Sequence, residues 1–310
     1  MSGRTGVVVS GASGLMGRRL AAALEADGVP ALRLVRRQAA TPEELRWYPA
    51  SGVEQAERLE GWAAAVHLSG ANIAERRWSA AWKREMWQSR VESTRVLCAA
   101  LARLRRPPSV LVCASAIGFY GDRGDAVLDE NSTRGEGFFP ELCAAWEDAA
   151  RAAAEVGIRV VHLRLGIVLG GHGGALERML PLFRAGLGGR LGSGRQWMSW
   201  ISEADAVRAF RFAIENGALR GAVNAVAPEP VTNREFTAEL ARVVRRPALL
   251  PTPALALRLV FGEMADAALM ASARVAPTRL QRAGFAFEQA RLPDALRAAL
   301  AGVAREAADA

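Results

Sequence analysis

The sequence predicts an α/β protein with a doubly wound parallel sheet and a smaller, mainly helical C-terminal lobe. Three observations carry this. Short apolar runs alternate with helical stretches through the first half of the chain. A glycine-spaced turn joins the first run to the first helix. From Thr232 onward the alternation gives way mostly to helix.

Val7-Val8-Val9-Ser10 reads as a buried strand and Gly11 to Gly17 as a tight turn. Arg18 to Ala26 follows as a helix, with Leu20 and Leu24 on one face and Gly28 as its stop. Pro30 to Val35 is the second strand and Ala63 to Leu68 the third. One long helix is predicted from about Ser79 to Leu104, closed by Pro107-Pro108. Ser109 to Ala114 is the fourth strand. A Gly- and Asp-rich loop runs on to Gly137, Glu141 to Val156 is helical, and Ile158 to Leu163 is the fifth strand. Gly170 to Gly194 is irregular apart from a short helix at Leu176 to Arg184. Ser202 to Glu215 is helical and Ala222 to Val226 is a further strand.

Parallel strands joined by helices collect their loops along one sheet edge, where ligands bind. The expected organisation is a Rossmann-type domain at 1–165, with 202–226 returning to it. A smaller substrate-side lobe occupies 166–310 and is mainly helical at 232–310.

Composition sets the outer bounds. The chain has 310 residues, 51% hydrophobic and 23% charged, as a soluble globular protein would. No apolar run approaches the length of a membrane span, and Met1 to Thr5 lead into a strand without a signal-peptide core. Cys98, Cys113 and Cys143 are scattered in apolar contexts, as buried reduced thiols would be. A cytoplasmic protein is expected. The net charge of +8 comes from arginines spread along the chain, without a basic run or a nucleic-acid module. The expected partner is therefore a small-molecule substrate, neither nucleic acid nor membrane; oligomeric state stays open. His67, His162 and His172 are dispersed, and no metal-ligand spacing exists.

The turn carries the chemistry. In Gly11-x-x-Gly14-x-x-Gly17, Gly11 permits the sharp bend, Gly14 admits a diphosphate to the backbone, and Gly17 allows close packing of the helix. The turn residues Gly11, Ser13, Gly14, Leu15, Met16 and Gly17 then place free N–H groups and a positive helix end on an anion. The second strand ends in Arg36-Arg37 where an NAD-specific site would carry an acid. Guanidinium groups there favour a 2′-phosphate, so the expected cofactor is NADP(H).

This glycine spacing, His67-Leu68-Ser69-Gly70-Ala71-Asn72 and Ser115-Ala116-Ile117-Gly118-Phe119-Tyr120-Gly121 resemble the extended short-chain dehydrogenase/reductases. More narrowly, the chain resembles their atypical NAD-dependent epimerase/dehydratase-like branch, of unsettled substrate, with a helical C-terminal domain. That match rests on Arg77-Trp78, Ser89 to Arg95, Trp146-Glu147, Arg164-Leu165-Gly166, Trp197 to Ile201, Gly262 to Asp266 and Gly284-Phe285. It implies NADP(H) binding, with Leu68, Gly70, Ser115 and Leu165 added to the cofactor site.

The superfamily's Tyr-x-x-x-Lys pair is absent. Lys83 is the only lysine, and the only tyrosines, Tyr48 and Tyr120, are followed four places on by Gly52 and Gly124. In the register set by Glu147, the pair's positions hold Phe139 and Cys143. Arg90 replaces a usual asparagine. The catalytic candidates are Tyr120, as an acid or equally a packing residue, Ser115 as a supporting hydroxyl, and Arg90 as a holder of carboxylate or phosphate. Asp122, Asp129 and Glu130 could act as base or line a charged loop. The expected function is that of an epimerase-like oxidoreductase on a small carbonyl or sugar-type substrate. The alternative is a non-catalytic NADP(H) sensor or scaffold.

Overall fold

The computed structural model describes residues 4–309, so part of the N-terminal stretch read for a leader (1–3) lies outside the described residues. The strands are β1 (Arg4–Ser10), β2 (Ala31–Val35), β3 (Glu44–Tyr48), β4 (Gly52–Val53), β5 (Trp62–His67), β6 (Val110–Ala116), β7 (Val127–Leu128), β8 (Arg159–Leu165), β9 (Ile167–Leu169), β10 (Trp197–Met198), β11 (Trp200–Ser202), β12 (Gly221–Ala225), β13 (Val231–Thr232) and β14 (Arg274–Val275). The α-helices are α1 (Leu15–Ala26), α2 (Ala80–Trp87), α3 (Ser93–Ala102), α4 (Phe138–Asp148), α5 (Arg151–Glu155), α6 (Gly174–Arg184), α7 (Glu203–Glu215), α8 (Asn233–Val244), α9 (Ala254–Phe261), α10 (Thr278–Arg282) and α11 (Leu292–Asp309).

One sheet of eight strands runs in the order β12-β8-β6-β5-β1-β2-β3-β4. The pairs β5–β6, β1–β5, β1–β2 and β2–β3 are parallel, and β4 turns back antiparallel on β3. The chain builds outward from β1 to β4, then returns to place β5 on the other side of β1. The switch point therefore falls between β1 and β5. The doubly wound α/β fold is as the strand–helix alternation predicts.

Central strands are apolar on both faces because helices cover both. Thus Val110 to Ser115 are all buried in β6, and Ala64 to His67 in β5. Nearer the edge, β2 buries only alternate residues, Leu32 and Leu34.

The chain folds as two units. The first comprises Met1–Ser115, Leu142–Leu163 and Ala209–Val223. The second comprises Ala116–Glu141, Arg164–Arg208 and Asn224–Ala310. In the first, Leu32, Leu34, Leu45, Trp47, Leu97, Leu101 and Leu111 share one core. Each such buried side chain contributes about 1.5–3 kcal/mol of transfer free energy. In the second, Leu176, Leu180 and Phe183 of α6 pack with Phe236 and Leu240 of α8 and Leu292 and Leu296 of α11. A capping box at Thr232 and Glu235 starts α8.

The structure corrects two helices and adds β3 and β4 to the large sheet, with β7, β9, β10, β11, β13 and β14 forming three two-stranded pairs outside it. The stretch at 79–104 is not one α-helix: a π-helical turn over Gln88–Glu92 separates α2 from α3. The stretch at 141–156 breaks at Ala149-Ala150. The strands β3 and β4 occupy a stretch the hydrophobic pattern passes over. Among the described residues no helix is long and apolar enough to cross a membrane. All three cysteines are buried and free of disulfides.

Candidate functional site

The first unit carries the glycine turn. Gly11 has φ +71°, a left-handed conformation, and a Cβ there would sit 2.6 Å from the carbonyl carbon of Leu68. The β1 and β5 loops therefore touch at the switch point. A Cβ on Gly17 would lie 2.1 Å from the Gly11 carbonyl oxygen, so α1 packs directly on the turn. Gly14 differs. Its added Cβ would meet only the Gly11 oxygen, at 3.3 Å. Gly14 is also the N-cap of α1, with no side chain capping it and no acid in the first turn. The leading N–H groups at Leu15, Met16 and Gly17 begin a helix, where such groups lack intrahelical acceptors. Arg18 donates to the Ser13 carbonyl at 2.5 Å and steadies the loop.

His67 ties the floor of this edge together. Its Nδ1 pairs with the Ser10 hydroxyl at 2.6 Å and its Nε2 with the Ser93 hydroxyl at 3.3 Å. Burial lowers the imidazole to about 4, so it is neutral at physiological pH. It is a buried core histidine rather than a catalytic one.

The register Ser10↔Leu34 puts the end of β2 on the same edge as the turn. There the two arginines separate in role. Arg36 is exposed and has no hydrogen-bond or ion-pair partner among the described residues. Arg37 is committed: its guanidinium grips Glu44 at 2.6 and 2.8 Å. Arg37 and the Ala40 N–H together hold the Glu44 carboxyl down at about 2.

Arg90 sits in the π-helical turn. It is 9% exposed and donates through Nη2 to the Ala71 carbonyl at 2.8 Å. Its Cζ is 3.1 Å from where a Cβ on Gly70 would be and 5.2 Å from the Trp146 ring centroid. Its Nη1 is buried with no acceptor among the described residues. Burial lowers it to about 10, which leaves it charged at neutral pH. Ser115, 2% exposed at the end of β6, donates to Glu147 Oε1 at 2.7 Å. Sequence reasoning used Glu147 only as a register mark. Its partnership with Ser115 was visible in nothing but the shared neighbourhood of a strand end and a helix 32 residues later.

The remaining predicted residues lie in the second unit. Leu165 ends β8, half-buried. Tyr120 is fully buried, against Leu128, Val226 and Val275. Its hydroxyl donates to Asn224 Oδ1 at 2.7 Å and accepts from Arg164 Nη1 at 3.0 Å. Burial raises its pKa further. These are the contacts that the packing alternative requires. The loop acids also carry hydrogen bonds. Glu130 accepts from the Asn224 and Arg279 N–H groups, Asp122 from Gly124 and Ser272, and Asp129 from Asn131 and Ser132. Phe139 packs over Gly118, while Cys143 is buried in the first unit.

A doubly wound sheet with a glycine turn and a bare helix N-terminus at its switch point, and an arginine unpartnered among the described residues at the end of β2, defines a dinucleotide-binding α/β protein. The chain belongs to the NAD dependent epimerase/dehydratase family, whose pattern matches residues 7–225. Residues 252–299 match a domain of unknown function, DUF1731. An epimerase family protein of Mycobacterium tuberculosis is 49% identical over 94% of this chain and 96% of its own length. Human epimerase family protein SDR39U1 is 35% identical, covering 94% of this chain and 98% of its own. The crystal structure of human SDR39U1 (isoform 2) with NADPH superposes at a TM-score of 0.87 and 33% identity, covering 95% and 99% of the two chains. That of a nucleoside-diphosphate sugar epimerase from Corynebacterium glutamicum gives 0.79 and 32%, covering 96% of this chain and 59% of that one.

Proposed function

We propose that this chain binds NADP(H) in preference to NAD(H) and is an epimerase-like oxidoreductase acting on a small carbonyl or sugar-type substrate. The observation that carries the reading is Arg36: an exposed guanidinium, unpartnered among the described residues, at the end of β2 on the same sheet edge as the glycine turn. NADPH in the SDR39U1 structure supports it. The cofactor fits the turn, since Gly14 leaves its backbone open and α1 begins uncapped. Bound there, a nicotinamide would supply hydride chemistry. Gly11 to Gly17 would hold the diphosphate and Arg36 the 2′-phosphate, with the loop of Leu68 and Gly70 beside them. Ser115, whose hydroxyl donates to Glu147, and Arg90 are the side chains of the first unit assigned to substrate. The three buried thiols suit a reducing, cytoplasmic setting.

A second reading, a non-catalytic NADP(H) sensor or scaffold, is favoured by Tyr120, whose proton is committed to Asn224 while no lysine stands near to assist it. Two measurements separate them: NADPH and NADH titrations, and NADPH oxidation against a panel of small carbonyls and sugar nucleotides. NADPH binding with turnover supports the enzyme, and NADPH binding without turnover across the panel supports the sensor. A preference for NADH removes both.

A further inference from the structure

The first unit holds a buried positive charge that faces the Cys143 thiol and, among the described residues, has no carboxylate partner. Arg90 is nine-tenths buried, and no carboxylate pairs with it among the described residues. Its Nη2 is taken by the Ala71 carbonyl. Nη1 is enclosed and meets no acceptor among them. The side chain stacked beside it repeats the pattern: Trp146 is 6% exposed, and its Nε1 is also enclosed with no acceptor among the described residues. Buried donors are nearly always satisfied, and a buried guanidinium without an anion is costly. Two unmet donors on one packed pair leave room in the hydrogen-bond count for an oxyanion, one oxygen for each N–H. The two come from different elements, the π-helical turn and α4, and π-helical turns often mark functional sites.

We propose that Arg90 and Trp146 seat a carboxylate of the substrate, so that the substrate class is a small oxo- or hydroxy-acid, sugar acids included. This rests on the reading above that the first unit binds NADP(H) at the glycine turn. An oxyanion could also come from the cofactor. Its diphosphate, however, is served by the uncapped start of α1, and its 2′-phosphate by Arg36.

The test is calorimetric and needs no turnover. Malonate and, separately, inorganic phosphate are titrated into the full chain with and without saturating NADPH. The same is done for Trp146→Phe and Arg90→Gln. Trp146→Phe keeps the ring over Arg90 and deletes only the N–H. The expected result is malonate binding by the wild type, weakened about tenfold by Trp146→Phe and abolished by Arg90→Gln, with NADPH affinity altered less than about threefold in either. If Arg90→Gln does not fold, the wild type and Trp146→Phe decide. Malonate failing to bind the wild type, or binding equally to Trp146→Phe, overturns the proposal. Phosphate binding in place of malonate overturns the carboxylate assignment. An NADPH affinity that falls tenfold in either variant gives the seat to the cofactor and overturns the proposal as well. Failure of NADPH to bind the wild type overturns the earlier reading instead, and the cofactor-free titration still tests the seat.

Discussion

The hydroxyl of Tyr120 is held between Asn224 and Arg164, giving its proton to Asn224 Oδ1 at 2.7 Å and accepting from Arg164 Nη1 at 3.0 Å. The Arg164 guanidinium also lies 3.5 Å over the Phe119 ring. Asn224 in turn donates to the Ala276 carbonyl and receives Glu130 at its backbone N–H. Tyr120 thus stands in a closed network within the second unit.

Tyr120→Phe should therefore act on stability. Removing the hydroxyl leaves an amide oxygen and a guanidinium short of one buried partner, a loss of about 1–3 kcal/mol. Urea unfolding should show this loss, while NADPH titration should show an affinity within about twofold of wild type. A variant as stable as wild type would refute the network's importance.

The fold and the glycine turn were legible in the sequence because both depend on local signals. Three valines followed by glycines at fixed spacing leave few alternatives, and the Gly28 stop after α1 is a backbone requirement. Tyr120 was legible only as a choice, because its partner Asn224 lies 104 residues away. The Arg37–Glu44 pair was missed for a related reason: β3 is short and carries Glu and Arg among its apolar residues, so its alternation is masked. Arg90 was singled out by its departure from a family position. That its neighbour Trp146 shares the unmet donor could come only from packing.

Arg36 and Arg37 should give opposite phenotypes. Losing a charge-assisted contact to phosphate costs about 1.5–3 kcal/mol, so Arg36→Ala should weaken NADPH at least about tenfold and leave NADH nearly unchanged. Arg37→Ala should leave both affinities close to wild type and lower the melting temperature, since Glu44 is buried and loses its bidentate partner. Because the Glu44 pKa is depressed in the fold, its contribution is present above the unfolded pKa and lost as pH falls through about 2. Arg37→Ala should narrow the stability difference between neutral and acid pH. Parallel fluorescence titrations and melts at several pH values check all of this.

His67 should make the fold acid-sensitive. Its imidazole titrates at about 4 in the fold against 6.5 unfolded, so the unfolded chain takes up the proton first as pH drops. Its contribution to stability is complete well above 6.5 and declines as pH falls toward 4. Between pH 6.5 and 5 the decline should be about 1.5 kcal/mol. His67→Gln keeps polar contacts but cannot titrate, so its unfolding free energy should vary less over that interval. Identical slopes for the two proteins would show that His67 does not set the acid response.

Gly14 and Gly17 should separate binding from folding. A methyl on Gly17 would stand 2.1 Å from the Gly11 oxygen and 2.7 Å from the Ala12 Cα, both backbone atoms that cannot swing aside. Gly17→Ala should force α1 off the turn and lower the melting temperature sharply. The methyl of Gly14→Ala meets one oxygen at 3.3 Å, a contact relieved by a few tenths of an ångström. Residue 14 also has φ −75° and ψ 172°, an extended conformation open to alanine. Gly14→Ala should fold with a melting temperature close to wild type, yet put a carbon where the diphosphate approaches the backbone, weakening NADPH about tenfold or more. Gly14→Val, with a branched chain there, should bind more weakly still. Thermal melts paired with NADPH titrations read both effects. A folded Gly14→Ala variant that binds NADPH as the wild type does would move the phosphate site away from this turn.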